Sequence, residues 1–201
     1  MKMLKVFFVV VLFCSPGCAW TVDKVTLNYK FDKPVPSTTW ECVKDKTLAI
    51  GEFADRRNVK NPNIVIHKKN ANGNTCPGGW QAEKPVAEIV KDALATGLRN
   101  AGANVVTDDP VYVINGKILR YNFEYIMGFW DADVEPELMV KLSLTNTKSG
   151  KILWKDTFIG KGGMKCHWYS EVVTKGFPAA LDDLVLQVVT DNYLKQKLMD
   201  N

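Results

Sequence analysis

Few residues in this 201-residue chain are of types that could do chemistry: five cysteines, two histidines and the adjacent aspartates Asp182-Asp183. Cys166 stands beside His167, the pairing from which a reactive thiol or a metal ligand is made. A metal needs several convergent ligands, and His67 is the only other histidine, so no metal site is expected and Cys166 reads as a structural or spare thiol. Asp182 and Asp183 could suggest two carboxylates working together. Neighbours on a helix diverge by about 100°, however, so the pair is expected near a helix start, where the dipole favours negative charge. Gly160-Lys161-Gly162-Gly163 lacks the glycine spacing of a phosphate loop and the Ser or Thr after its Lys, and reads as a strand-ending loop. No serine sits in a nucleophile elbow, and two histidines leave little room for a triad. The expectation is a protein with no catalytic residues and no cofactor.

The meaning of the remaining cysteines depends on the N-terminus. Lys2 and Lys5 precede an apolar run from Val6 to Phe13, and Ser15, Pro16 and Gly17 follow. That is the order of a secretory signal, and the run falls far short of the ~20 residues that span a bilayer. Ser15-Pro16-Gly17-Cys18 resembles a lipobox, which would leave Cys18 lipidated as the first mature residue. Gly17-Cys18-Ala19 could instead serve as a small-x-small cleavage site and discard Cys18. On the first outcome residues 1–17 are the signal and 18–23 a lipid-anchored lead, with Ala19 of the outer-membrane sorting type. Export places Cys42, Cys76 and Cys166 in an oxidising compartment, where a disulfide is expected. Three cysteines allow three single bridges, and Cys42–Cys76 is the pairing favoured here, because it would pin the long loop between them.

Residues 24–201 are long enough for one domain with its own core. Without Lys2 and Lys5, 24 of the 26 basic residues remain against 22 acidic ones. So near a balance, with basic residues in pairs such as Arg56-Arg57 and Lys68-Lys69, gives no stripe for nucleic acid. Val25, Leu27 and Tyr29 alternate with polar residues as a half-buried strand does, and Thr47 to Phe53 is a second strand. Residues 54–82 read as a long loop interrupted only by Ile64-Val65-Ile66. Val86, Ile89, Val90, Ala93, Leu94 and Leu98 mark an amphipathic helix that Gly102 would cap. Val105-Val106 is a short strand. From Val111 to Lys161 the pattern is a β-meander: the apolar parity switches after Ile118, which predicts a bulge, and Asn146 to Gly150 is a hairpin loop. A helix is predicted from Phe177 to Leu198. The fold class expected is α+β, an antiparallel meander packed against two main helices.

Between two long strands lies Met127-Gly128-Phe129-Trp130-Asp131-Ala132-Asp133. Its aromatics either fold back on the core or present Phe129 and Trp130 as an anchor for a partner or membrane. The segments Val86–Gly102, Val113-Ile114-Asn115-Gly116-Lys117-Ile118, Leu138–Ile159 and the helix after Phe177 resemble the YajG family of bacterial lipoproteins. The Thr147-Lys148-Ser149-Gly150-Lys151 hairpin, Ile152-Leu153-Trp154 and the Phe158-Ile159-Gly160 ending carry most of the likeness. It covers roughly residues 84–198, and the Cys42–Cys76 region departs from it as an insertion. The resemblance implies an envelope lipoprotein with no established activity. The expected role is a non-enzymatic outer-membrane lipoprotein that binds or scaffolds an envelope protein, held to the membrane by an N-terminal lipid. An accessory of an envelope transport system carrying an apolar ligand is the alternative. A periplasmic enzyme using Cys166 and His167 is a third class.

Overall fold

The computed structural model describes residues 21–27, 29–69, 74–127, 132–166 and 169–200. The chain forms the expected α+β fold, with two sheets and two main helices. The larger sheet contains β2 (Leu48–Asp55), β5 (Tyr112–Met127), β6 (Ala132–Asn146) and β7 (Ile152–Lys161) in the order β2-β5-β6-β7, and β8 (Met164–Cys166) adds to β6. All its pairings are antiparallel except β2 with β5. The smaller sheet has the order β1-β4-β3, from β1 (Val22–Lys24), β3 (Ile64–Lys69) and β4 (Thr75–Gln81). Two parts of the sequence reading change here. The first strand is Val22–Lys24, not Val25–Tyr29, although Leu27 and Phe31 beyond it are buried. Much of the expected 54–82 loop is the β3–β4 hairpin. Thr75-Cys76-Pro77-Gly78-Gly79 reads as a turn, yet Gly79 sits in the central strand because a Cβ there would lie 2.7 Å from the Ile66 carbonyl.

The meander follows its pattern closely. Tyr112, Ile114 and Ile118 are buried, then Tyr121 and Phe123, and Leu119 between them is exposed. Ile118 faces Val140 and Arg120 faces Met139, so Leu119 is the extra residue of the bulge that reverses the faces. In β6, Val134, Leu138, Val140, Leu142 and Leu144 are all buried. Glu137 faces Lys161 and Val134 faces Met164, three residues on in both strands, so β8 keeps the register of β7. The break between them falls opposite Pro136. Gly162 donates to the Pro136 carbonyl at 2.9 Å, but Pro136 has no N–H to return.

Helix α1 (Val86–Asn100) buries Val86, Ile89, Val90, Ala93, Leu94 and Leu98. It ends in a Schellman turn: Gly102 (φ +92°) donates to Arg99 and Ala103 to Leu98, each at 3.0 Å. The predicted C-terminal helix is two helices. A turn at Tyr169–Glu171 and a wide turn at Val172–Gly176 lead into α2 (Phe177–Thr190). At Asp191 the chain extends, and its carboxylate caps α3 (Asn192–Met199) by accepting from Tyr193 and Leu194. Between sheet and helices lie Leu94, Leu98, Leu181, Leu184, Val185 and Val188, all fully buried.

α2 lies very close to β7. A Cβ on Gly160 would stand 2.0 Å from the Ala180 carbonyl and 2.6 Å from Leu184 Cβ. Helix backbone cannot move aside as a flexible side chain can. Gly160→Ala is therefore expected to cost about 1–3 kcal/mol, a fall in Tm of roughly 2–12 °C by thermal circular dichroism. An unchanged Tm would show that α2 can lift from the sheet without cost.

Candidate functional site

The segment before β2 is a strap across the molecule. β1 runs parallel to β4, and Val25 donates to the Gln81 carbonyl at 2.8 Å. Leu27 N–H donates to the Glu83 carboxylate at 3.1 Å. Tyr29 OH donates to Asp182 at 2.7 Å, and Lys33 pairs with the same carboxylate at 3.2 Å. Burial and then the Asp182 hydrogen bond raise the Tyr29 phenol far above its ordinary pKa. Trp40, buried, ends the strap by donating its indole N–H to the Val189 carbonyl at 2.8 Å. Asp182 is thus the anchor of this strap.

Asp183 has another task, at the edge of the larger sheet. Its carboxylate accepts from the backbone N–H of Lys161 at 2.8 Å. Gln187, one turn on, donates to the Ile159 carbonyl at 2.9 Å and to Asp183 at 2.8 Å. The Asp156 carboxylate takes the N–H of Thr157 at 2.7 Å. Three backbone groups along β7 are thereby occupied by side chains, which is one way natural sheets blunt an edge. Neither aspartate caps the helix, which has no side-chain cap. The expectation that they serve the helix start is corrected to strap and edge.

The opposite edge is not closed in this way. Leu48 donates to Asn104 at 2.9 Å and accepts from Val106 at 2.8 Å, one bridge of a parallel pairing. Among the described residues no hydrogen bond continues it to Ile50, and there a groove of about 410 Å³ opens between β2 and α1. Ile50, Ala95, Val105 and Val106 give it apolar walls, and Lys91 and Arg99 line it with positive charge. Asp92 also lines it, but is held by Lys84. A groove beside an incomplete parallel pairing can take an extended peptide as one more strand. The sequence showed Val105-Val106 as a strand; what it lacked was the partner, since spacing does not say which edge a short strand joins.

The other residues singled out from sequence do not form a site. Cys42 and Cys76 are free thiols, so the expected bridge between them is not formed. The two thiols are held on separate elements. Cys42 lies on the turn Glu41–Val43, after Trp40, whose N–H bonds Ala101 at the end of α1. Cys76 lies on β4 in the smaller sheet, its thiol 3.8 Å from the Asn74 carbonyl. Cys18, Phe129, Trp130 and His167 lie outside the described residues, as does the Cys166 side chain. Phe129 and Trp130 fall between the end of β5 and the start of β6. Among the described residues no group of His, Cys, Asp and Glu could hold a metal, and no helix is long and apolar enough to cross a membrane.

No protein-family model matches the chain, and no curated protein matches it. Solved structures do. The Xanthomonas campestris protein XCC0632, of family DUF330, is similar over 89% of this chain and 95% of its own, with 15% identity and a TM-score of 0.51. PelC from Paraburkholderia phytofirmans, crystallised as a dodecamer, is 16% identical over 84% of this chain and 94% of its own, with a TM-score of 0.45. A minor lipoprotein from Acinetobacter baumannii is 15% identical over 75% and 93%, at 0.44. At these identities the likeness to XCC0632 is one of fold. The YajG resemblance stays a likeness of sequence pattern.

The strap carries a pH dependence. The N–H of Glu83 itself, then that of Leu27, holds the Glu83 carboxyl below the ordinary carboxylate range. A depressed folded pKa means that this support is complete above the ordinary value of ~4.3 and is lost as pH falls through the lower one. The Leu27 amide proton shift is expected to titrate with an inflection below ~4.3. In Glu83→Gln, which keeps an acceptor and loses the charge, that inflection disappears. An inflection that survives would assign it to another group.

Proposed function

We propose that this chain is a non-enzymatic bacterial envelope lipoprotein, anchored through Cys18 at the periplasmic face of the outer membrane. It holds a partner protein by accepting an extended segment at the β2 edge. One observation carries this reading. The two edges of the sheet are treated differently, with β7 occupied by Asp156, Asp183 and Gln187 and β2 left open beside a groove. A free edge is a liability unless it is used. Support for the location comes from the order of basic, apolar and small residues before Cys18. The lining of Lys91 and Arg99 around apolar walls suits a strand that carries acidic residues among apolar ones.

A photo-cross-linking residue in place of Thr96, on the groove wall, is expected to give one discrete protein adduct in intact cells. The same residue in place of Thr157, on the closed edge, gives none. Lys91→Glu with Arg99→Glu reduces the Thr96 adduct severalfold at unchanged Tm. Equal adducts from both positions, or none from either, would remove the edge as the binding site. The anchor is tested separately: Cys18→Ser moves the protein from the membrane to the soluble fraction. If it already fractionates as soluble, with Trp20 as its first residue, the anchor is wrong and the edge is untouched.

A further inference from the structure

The face of the larger sheet turned away from the helices carries a second feature. Lys117 on β5 stands directly opposite Lys141 on β6, and Ser143, two residues on, stands between Asn115 and Lys155. Like charges directly opposite on a sheet are destabilising. At the other end of the same face Arg120 pairs with Glu137 at 3.2 Å, and Lys161 with Glu137 at 3.1 Å and Glu135 at 3.4 Å. Lys117, Lys141 and Lys155 form no such pair among the described residues. They surround a depression of about 170 Å³, and no carboxylate lines it.

The polar floor of the depression is oriented. Asn115 Oδ1 accepts from the N–H of Glu52 at 3.0 Å, across the bulge in β2. A Cβ on Gly51 would lie 2.3 Å from that oxygen, so glycine is what lets the amide dock. Because a backbone N–H can only donate, the docked atom must be the oxygen, which leaves the Asn115 NH₂ as a donor. The Ser143 hydroxyl has no partner among the described residues. Three lysines, an amide and a hydroxyl thus line a depression that has no carboxylate in its wall.

We propose that this depression is an oxyanion site that takes the phosphate group of a ligand, either a phospholipid headgroup or a soluble phosphate ester. A phosphate supplies the several strong acceptors that these donors lack, and it removes the repulsion between Lys117 and Lys141. The site is separate from the β2–α1 groove and does not rest on the reading given for it.

The test uses the full chain in dodecyl maltoside micelles and phosphate-free, low-salt buffer. Calorimetric titration is made with glycerol 1-phosphate and with micelles containing phosphatidylglycerol. Saturable binding is expected, weakened at least tenfold by Lys141→Gln and unchanged by Lys60→Gln, an exposed lysine elsewhere. Asn115→Asp keeps an acceptor for Glu52, so the fold and Tm hold, yet it places a negative charge in the site and should abolish binding. Binding to phosphatidylglycerol micelles alone assigns the site to a lipid headgroup; binding that glycerol 1-phosphate shares assigns it to a soluble ester. Binding of neither probe, or binding that Asn115→Asp leaves intact, overturns the proposal.

Discussion

Where α2 crosses β7, the Ala180 carbonyl occupies the space in which a side chain on Gly160 would begin, and the N–H of Ala180 crowds Gly162 in the same way. This approach, closer than two side-chain-bearing surfaces allow, sets the place of α2 on the sheet. It brings Asp183 and Gln187 within reach of the strand edge, so residues that would otherwise be solvated close β7. It also sets the place of α1. Gly97 lies against Val185, where a Cβ would meet Cγ1 at 2.2 Å, so α1 is packed tightly on α2. A helix held there can bury its apolar stripe without covering the β2 edge. The closed edge and the open groove are two outcomes of one packing arrangement.

The larger sheet shows how backbone irregularities place side chains. The bulge at Leu119 lets β5 bury Ile118 and Tyr121 on the same face, and the bulge in β2 exposes an N–H that Asn115 can take. Without the second bulge, the Asn115 amide would be one more solvated group on the open face. Gly116, beside it, is covered by the Phe53 ring, which stands where a larger residue would need room. The sequence stretch Val113 to Ile118, which reads as an ordinary strand, is therefore constrained on both faces. Glycine and asparagine are strand-breaking types, and here each answers to a contact.

How far the fold was legible depended on whether neighbours in sequence were also neighbours in space. The meander, its bulge, α1 and its Gly102 cap could all be read, because each rests on local periodicity or a single backbone angle. β4 could not, since Pro77, Gly78 and Gly79 signal a turn and only the distant Ile66 carbonyl gives the glycine its reason. Asp191 was missed as a helix break because apolar spacing runs on through Leu194 and Leu198 on the far side. The site was less legible still. Asp182 and Asp183 were noticed as a pair, but their partners, Tyr29 and the N–H of Lys161, lie 153 and 22 residues away. Opposed charges leave a local signature in sequence; the lysine cluster does not, because strand register across two hairpins is what assembles it.

The strap gives the N-terminus a further meaning if Cys18 bears lipid. Val22 is already paired, opposite Gly79, so only three residues separate the anchored cysteine from the first fixed strand. Four extended peptide steps span at most about 14 Å. With such a tether the smaller sheet would lie near the membrane. From there the chain runs along α2, Tyr29 bonding Asp182 within the helix and Trp40 bonding Val189 near its end, with Phe31 buried between them in sequence. With a lipid on Cys18, a pull there would reach α2 through Asp182 and Val189. Because α2 also closes β7, the N-terminal strap and the edge that is kept from pairing are fastened to the same helix, while the groove at β2 lies on the other side of the sheet order. A lipid at Cys18 would therefore hold the domain without involving the edge that is left open.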